Sequence, residues 1–454
     1  MNQPPLPGTD FSATARYVIL GAAFLGWMAS GLQMAVMTLS ARSATTEFLR
    51  TGNLSSGQIF RPQRLLVPLA LPRTIPAPAT DEDRQRKAVG GLWFSWYNAG
   101  FLLGAATGGL VFGWLGDRLG RVRAMGASIF CFSVFSAVGY CATTPEQILL
   151  LRFLAGMGVG GMWPTGVALA SEAWSDSARP MISGMLGTSA NVGLLFMNTL
   201  GYVDPPTPDS WRWLLLVCTT PMVLAFLVWT LVPESRRWLA VRAAPPSPNS
   251  AAIAPSVFAP PILWRTLIGI AIGTIPVLGG WAGTQWLIPW TDKVLGPTQP
   301  EQMALTAIMR SGGAIFGGLV GGWIASLAGR RTAFFFVCLA SLLVGQFIYL
   351  VLDPTSPAFK PAVFVLGVIT TIHFGWMPLY LPELFPTAVR STGAGVSFNF
   401  GRILAAVGVL VTGFNTKILG DDYGRAGSIA MLIYAVGMVV ILFAPDTTKD
   451  KLED

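Results

Sequence analysis

Apolar runs alternate with short polar or Pro/Gly-rich breaks along almost the whole chain. Each run has about the 20 residues that a helix needs to cross a hydrocarbon core of roughly 30 Å. Twelve spans are predicted, at approximately 16–40, 91–114, 124–142, 147–170, 181–203, 211–232, 263–290, 302–325, 332–352, 361–382, 391–416 and 425–444. A polar, Pro-rich stretch, PESRRWLAVRAAPPSPNSAAIAPS, follows the sixth. Such composition predicts a poorly ordered linker over 233–262. The expected organisation is an all-α membrane protein with twelve transmembrane helices in two six-helix halves, 1–232 and 263–454, with one long outer loop at about 41–90.

The two halves repeat each other. GWLGDRLGR from Gly113 returns as GWIASLAGR from Gly322, 209 residues on. GTSANVGL from Gly187 returns as GVSFNFGR from Gly395 at an offset of 208, and SEAWSDSAR from Ser171 as PELFPTAVR from Pro382 at 211. Because six is even, both halves enter the membrane from the same side, as parallel repeats about an axis along the membrane normal.

Composition agrees with this pattern: 52% of residues are hydrophobic, 11% are charged and the mean hydropathy is +0.57. The net charge of +8 is scattered between apolar runs, with no continuous basic face for nucleic acid. Lys and Arg concentrate in the loops that lie inside if both termini are cytoplasmic, which sets that orientation. The eight basic residues of the 41–90 loop are the exception, and a loop of that size translocates with little regard to charge. Cys131, Cys141, Cys218 and Cys338 sit in apolar segments without metal-ligand spacing. No Gly-rich nucleotide loop or nucleophile constellation points to an enzyme, and no cofactor is implied.

Charges at membrane depth cost about 2.5–3.5 kcal/mol or more, so each is a functional candidate. With a rise of about 1.5 Å per residue, Arg310 lies roughly 18 Å from the Gly322 end of its helix, and Arg402 roughly 18 Å beyond Arg390. His373 lies roughly 15 Å from Glu383, whereas Arg152 is roughly 28 Å from Ser171 and can snorkel to the outer headgroups. No Asp or Glu occurs at comparable depth, so an organic anion is the missing charge that Arg310 and Arg402 can grip bidentately. Arg402 occupies the place that Leu194 takes in the first half. The alternatives are open: either arginine can bond backbone carbonyls at a Gly-rich contact, His373 can be a packing residue or a proton carrier, and Arg152 can be structural.

At this point the chain resembles the major facilitator superfamily. Gly113, Leu115, Asp117, Arg118, Gly120 and Arg121 meet its loop 2–3 pattern G-x-L-x-D-R-x-G-R. RFLAGMGVGG, PESRRWL and PELFPTAVRSTGAG resemble signatures of the sugar porter and organic-acid symporter branch, which includes aromatic-acid carriers, with sialic-acid and related organic-acid carriers nearest. Helix one lacks the D-G-x-D of aromatic-acid symporters, reading GWMASGLQMAV, and helix seven reads LGGWAGTQWLIPW in place of the hexose-porter motif. The resemblance implies an inner gate in which Asp117, Arg118 and Arg121 join Glu172 and Arg179, with Glu383 and Arg390 from the second half. It also implies that helices one, two, five, seven and eleven face a central cavity. Gln33, Asn98, Asn191 and Gln285 lie in those helices, with Trp281 on the Gln285 face of helix seven; interhelical bonding is their alternative role, and the one favoured for Asn399. Trp163 in helix four and Arg152 complete the candidate substrate contacts.

The expected function is secondary transport of a small organic anion across the cell membrane by a monomer, with the proton as a candidate coupling ion. A neutral-solute or sugar carrier of the same fold is the alternative. A transporter-like receptor is the other class, and the short tail PDTTKDKLED after the last span speaks against it.

Overall fold

The computed structural model describes residues 11–55, 60–72, 82–175, 178–243, 256–295, 299, 301–414 and 422–448. The first half comprises α1 (Ala13–Arg50), α2 (Glu82–Leu119), α3 (Arg121–Tyr140), α4 (Pro145–Ala173), α5 (Arg179–Val203), and a sixth span in two pieces, α6 (Trp213–Val217) and α7 (Met222–Leu231). A short helix, α8 (Arg236–Ala243), follows. The second half comprises α9 (Leu263–Leu278), α10 (Leu287–Leu295), α11 (Glu301–Ala328), α12 (Arg330–Val351), α13 (Phe359–Glu383), α14 (Arg390–Asn399), α15 (Gly401–Phe414), α16 (Tyr423–Met431) and α17 (Ile433–Val440).

Local chemistry sets the helix ends. Ser12 caps α1 through a bond from the Ala15 amide, and Thr144 and Gln147 form a reciprocal capping box ahead of α4, with Pro145 at its first position. The turns into α3 and α12 are made by Gly120 (φ 110°) and Gly329 (φ 84°), conformations open to glycine at little cost. These glycines precede Arg121 and Arg330, so the repeated motif builds the same sharp turn twice.

Small residues let the helices approach closely, as expected where lipid supplies no hydrophobic drive between helices. A Cβ at Gly160 would overlap the Ala105 carbonyl oxygen between α4 and α2. In the first half α2 and α3 pack along α4, and α1 along α4 and α5; in the second, α11 and α12 pack on α13, and α14 on α9. The halves meet where α5 lies on α11 and where α2 lies on α14 and α15. Thr188 Oγ1 donates to the Ile315 carbonyl at 2.7 Å and Ser183 Oγ to that of Gly375 at 2.5 Å across this seam.

Three sequence expectations are corrected. The loop expected over 41–90 is helical at both of its ends, because α1 continues to Arg50 and α2 begins at Glu82. Charges there ended the apolar run but not the helix, since Glu47 is buried beside Arg212. The seventh span is not one helix: α9 passes through a π turn at Gly279–Gly283 and a 3-10 turn at Thr284–Trp286 before α10. Pro276, the flexible Gly279 and Gly280, and the Tyr434 ring pressed on Gly279 favour that break. The linker expected as disordered contains α8, while 244–255 lies outside the described residues. By length and composition, eleven described helices can cross a membrane, and α9 is the shorter apolar helix that accompanies them.

At the far end of α1 the Glu47 carboxylate accepts from Trp211 Nε1 at 2.7 Å and pairs with Arg212, whose other nitrogens donate to the Tyr140 and Ala142 carbonyls. Breaking a buried pair by removing one partner costs about 3–5 kcal/mol, whereas an apolar replacement of both is far milder. Glu47→Leu and Arg212→Leu are each expected to lower the thermal midpoint in detergent by several degrees, and the double variant by less than either single one. A double variant as unstable as the sum of the singles would contradict the pairing.

Candidate functional site

A cavity of about 390 Å³ lies between the halves. Its deep wall includes Trp27 of α1, Asn191 of α5, Arg310 of α11, Phe374 of α13, Phe398 of α14 and Arg402 of α15. It widens past Thr38 and Arg42 of α1 and Asn198 of α5 to Tyr202 and Met303 at one face, where Arg42 and Tyr202 are exposed. Its described lining contains three arginines and no Asp, Glu, Lys or His. Arg402 is 2% exposed, its guanidinium carbon 5.3 Å from the Phe398 ring centroid. Nε and Nη1 of Arg402 and Nε of Arg310 are buried without a hydrogen-bond partner among the described residues. Buried polar groups left in that condition are costly and ask for an acceptor.

The floor is aromatic. Trp163 stacks on Phe398 at 4.1 Å and 14°, and Trp27 and Phe374 meet the same ring edge-on at 6.0 and 6.5 Å. Three of these rings come from α1, α4 and α13, so both halves close on Phe398.

Beyond the floor, the opposite face is sealed by ion pairs. Glu172 accepts from Arg121 of its own half at 3.1 Å and from Arg390 of the other half at 3.0 Å, and also from Ser235 Oγ. Arg121 reaches Asp117 at 2.6 Å and the carbonyls of Gly116 and Thr387 at 2.8 and 2.7 Å. Asp117 in turn accepts from the backbone amides of Ser391 and Thr392 at 3.1 and 2.8 Å, capping α14 from the other half. The second half repeats the motif: Arg330 holds Glu383 at 2.9 Å and the Ala325 carbonyl at 3.2 Å, and Arg179 adds its charge at Glu383. The first and last described segments reach this face, for Phe11 packs under Arg236 and Thr447 donates to Glu383.

The remaining candidates are placed elsewhere. Gln33 is buried inside the first half, donating to Ser136 Oγ at 2.8 Å and the Cys218 carbonyl at 3.1 Å. Arg152 does not snorkel: its guanidinium turns inward to the Gln33 carbonyl at 2.8 Å and over the Phe101 ring at 4.3 Å. Asn98 donates to the Phe94 carbonyl of its own helix. His373 lies behind the cavity, with Nδ1 3.2 Å from the Thr370 carbonyl, Nε2 3.4 Å from Cys338 Sγ, and its ring stacked on Tyr434. Trp163 supports the floor from beneath Phe398. Asn399 donates to the Gly160 and Gly395 carbonyls, the packing role. Arg118 is exposed over the Trp114 ring at 4.5 Å and outside the ion-pair network. The side chains of Trp281 and Gln285 lie outside the described residues.

Several groups escaped sequence reasoning. Arg42 was cut off with the presumed loop, and Trp27, Phe374 and Phe398 read as ordinary apolar residues. Glu234 was assigned to a linker, yet it accepts from the Arg121 and Val122 amides at 2.9 and 3.1 Å at the start of α3. Burial pushes its carboxyl above the usual range, against the pull of those amides. Its counterpart is at the chain's other end, where Thr448 Oγ1 accepts from the Arg330 amide and hydrogen bonds from Thr448 hold the exposed Asp446 below the usual range. The signal was PES at 233–235 against PDT at 445–447, a fourth match at an offset of 212.

Residues 86–409 match the Major Facilitator Superfamily. The cis,cis-muconate transport protein of Acinetobacter baylyi is 28% identical over 361 residues, covering 77% of this chain and 84% of the relative. The 4-hydroxybenzoate transporter of Pseudomonas aeruginosa is 27% identical over 387 residues, covering 76% and 83%. Among solved structures, the proton:xylose symporter XylE of E. coli, bound to 6-bromo-6-deoxy-D-glucose, aligns with a TM-score of 0.71 over 97% of this chain and 98% of that one. Its sequence identity is 17%, so it speaks for the fold. With a family match across well over half its length and that fold, the chain belongs to the major facilitator superfamily and is a multi-pass membrane transporter, not an enzyme.

Proposed function

We propose that the protein is a secondary transporter that moves a small organic carboxylate across the cell membrane by alternating access. The observation that carries this reading is the pairing of Arg310 and Arg402 in a cavity whose described lining has no acidic residue. Arginine stays protonated, and two such charges at depth need an anion to offset them. A carboxylate fits the planar guanidinium fork, and a volume of about 390 Å³ suits a small acid. The naming of two relatives for muconate and 4-hydroxybenzoate transport supports an organic acid as cargo.

In this reading the structure is open at the Arg42 mouth and closed by Glu172, Arg121, Arg390 and Asp117 at the other face. The closed face carries Arg118, Arg123, Arg236, Arg237 and Arg242, which supports its being cytoplasmic. The bonds from Asp117 and Glu172 to the second half are those that separate when that face opens. Asn191 and Asn198, beside the arginines, supply neutral contacts to the remainder of the substrate.

Two outcomes are expected. In purified protein, monocarboxylates raise the thermal midpoint whereas their carboxamides do not, and Arg402→Gln or Arg310→Gln weakens carboxylate binding about 30-fold or more, matching a loss of at least ~2 kcal/mol. A neutral sugar as the sole stabilising ligand would favour the other cargo class and overturn this one. Separately, a thiol introduced by Ser391→Cys, shielded beside Asp117, is expected to react at least about tenfold faster with a polar maleimide when Glu172→Gln is added. That change removes the carboxylate shared by two arginines, at a cost of about 3 kcal/mol or more to the closed face. Unchanged labelling would mean that the cluster does not hold that face shut.

A further inference from the structure

The charge carried through each cycle can be argued from where the titratable groups lie. This argument rests on the carboxylate reading above. A proton moves across the membrane with the cargo only if some group takes it from one solution and releases it to the other. In an alternating-access protein such a group must face, or communicate with, the central cavity.

The acidic residues in the membrane-crossing helices sit at one face or the other. Glu47, Glu146, Asp292 and Glu301 lie toward the mouth face, Glu47 paired with Arg212, Glu146 accepting from the Arg61 amide, and Asp292 of α10 and Glu301 of α11 exposed. Asp117, Glu172 and Glu383 belong to the ion pairs of the closed face. When that face opens they meet the same solution that bathes their own side, so a proton gained there returns there. The described cavity wall contributes Arg42, Arg310 and Arg402 and no Asp, Glu, Lys, His or Cys.

Tyr349, whose hydroxyl feels the Arg310 charge, donates to the Gly283 carbonyl at 2.6 Å. Two further buried groups lie off the cavity. Arg152 is a fixed charge whose partner is an amide: Nη1 and Nη2 meet Gln33 Oε1 at 3.3 Å and the Gln33 carbonyl at 2.8 Å. Phe101 of α2, Ser136 of α3 and Cys218 complete its surroundings, and no carboxylate is among them. His373 of α13 faces Phe334 and Cys338 of α12 and Tyr434 of α17, with Thr370 on its own helix. A neutral ring with its proton on Nδ1 satisfies both of its polar contacts, donating to the Thr370 carbonyl and facing the Cys338 thiol.

We infer that a carboxylate crosses with its own negative charge, uncompensated by a proton on the protein, so that transport is electrogenic and driven by the anion gradient and the membrane potential. Arg310 and Arg402 keep their charge in both orientations, and each monocarboxylate carried inward moves one negative charge.

The test uses the full chain in proteoliposomes with 4-hydroxybenzoate as probe, protein-free vesicles correcting for leak. A potassium diffusion potential of about 60 mV, inside positive, is expected to accumulate the monoanion about tenfold, and reversal of its sign to deplete it. A gradient of one pH unit at zero potential is expected to accumulate none, and His373→Gln to leave both responses unchanged. Accumulation driven by the pH gradient and abolished by a protonophore would overturn the inference, as would flux indifferent to the potential. Loss of a pH-driven response in His373→Gln would name the missed proton carrier. Carboxylate flux that fails under every gradient removes the cargo reading itself, and this inference with it.

Discussion

The structure is organised around one buried carboxylate held by two arginines from opposite halves. Glu172 lies between Arg121 and Arg390 with its side chain sealed from solvent, and it is the carboxylate that the two buried guanidiniums share. Holding the three charges together fixes the turn after Gly120, the Glu172 end of α4 and the start of α14 against one another. It closes one face and thereby leaves the cavity to open at the other, with Phe398 as floor. The same arrangement is costly to break by several kcal/mol if water did not replace the lost bonds, which is what an alternating seal requires: stable when shut, hydrated when open.

The internal repeat explains which features are scaffold and which are specialised. Arg121 with Glu172 and Arg330 with Glu383 are the same device built twice, each arginine also binding a carbonyl five residues back. Glu234 and Thr448 tie the starts of α3 and α12 in corresponding ways. Function enters where the copies differ. Asp117 bonds across the seam to Ser391 and Thr392, whereas Ser326 stands at the matching place in the second half. Arg402 faces the cavity where the first half has Leu194. Arg310 likewise stands where the first half has Phe101, so the two-fold scaffold carries one additional cross-seam latch and two additional buried cations at the cavity.

Much of this was legible in the chain. The spacing of apolar runs, the repeats and the depth of Arg310 and Arg402 follow from a constant helical rise and from the cost of charge in lipid. The face that a side chain presents did not follow. Gln33 and His373 are at the right depth but on helix faces turned into their own halves, and helices surrounded by both protein and lipid show little amphipathic contrast to reveal this. Aromatic residues such as Trp27 and Phe398 look alike in a wall, a belt or a core. The ends of α1 and the seventh span were misjudged because charge pairing sustained helix at Glu47, while glycines and a pressing Tyr434 ring broke it at Gly279.

In the proposed function the ion-paired face and the Arg42 mouth are the two alternating doors of one carboxylate carrier. Paired spin labels test it directly: one pair at Tyr202 and Met303 across the mouth, the other at Leu119 and Leu327, both exposed at the sealed face. On adding a transported monocarboxylate, the mouth distance should shorten while the sealed-face distance lengthens, and the corresponding carboxamide should move neither. Distances that stay fixed, or that change in the same sense at both faces, would contradict the account.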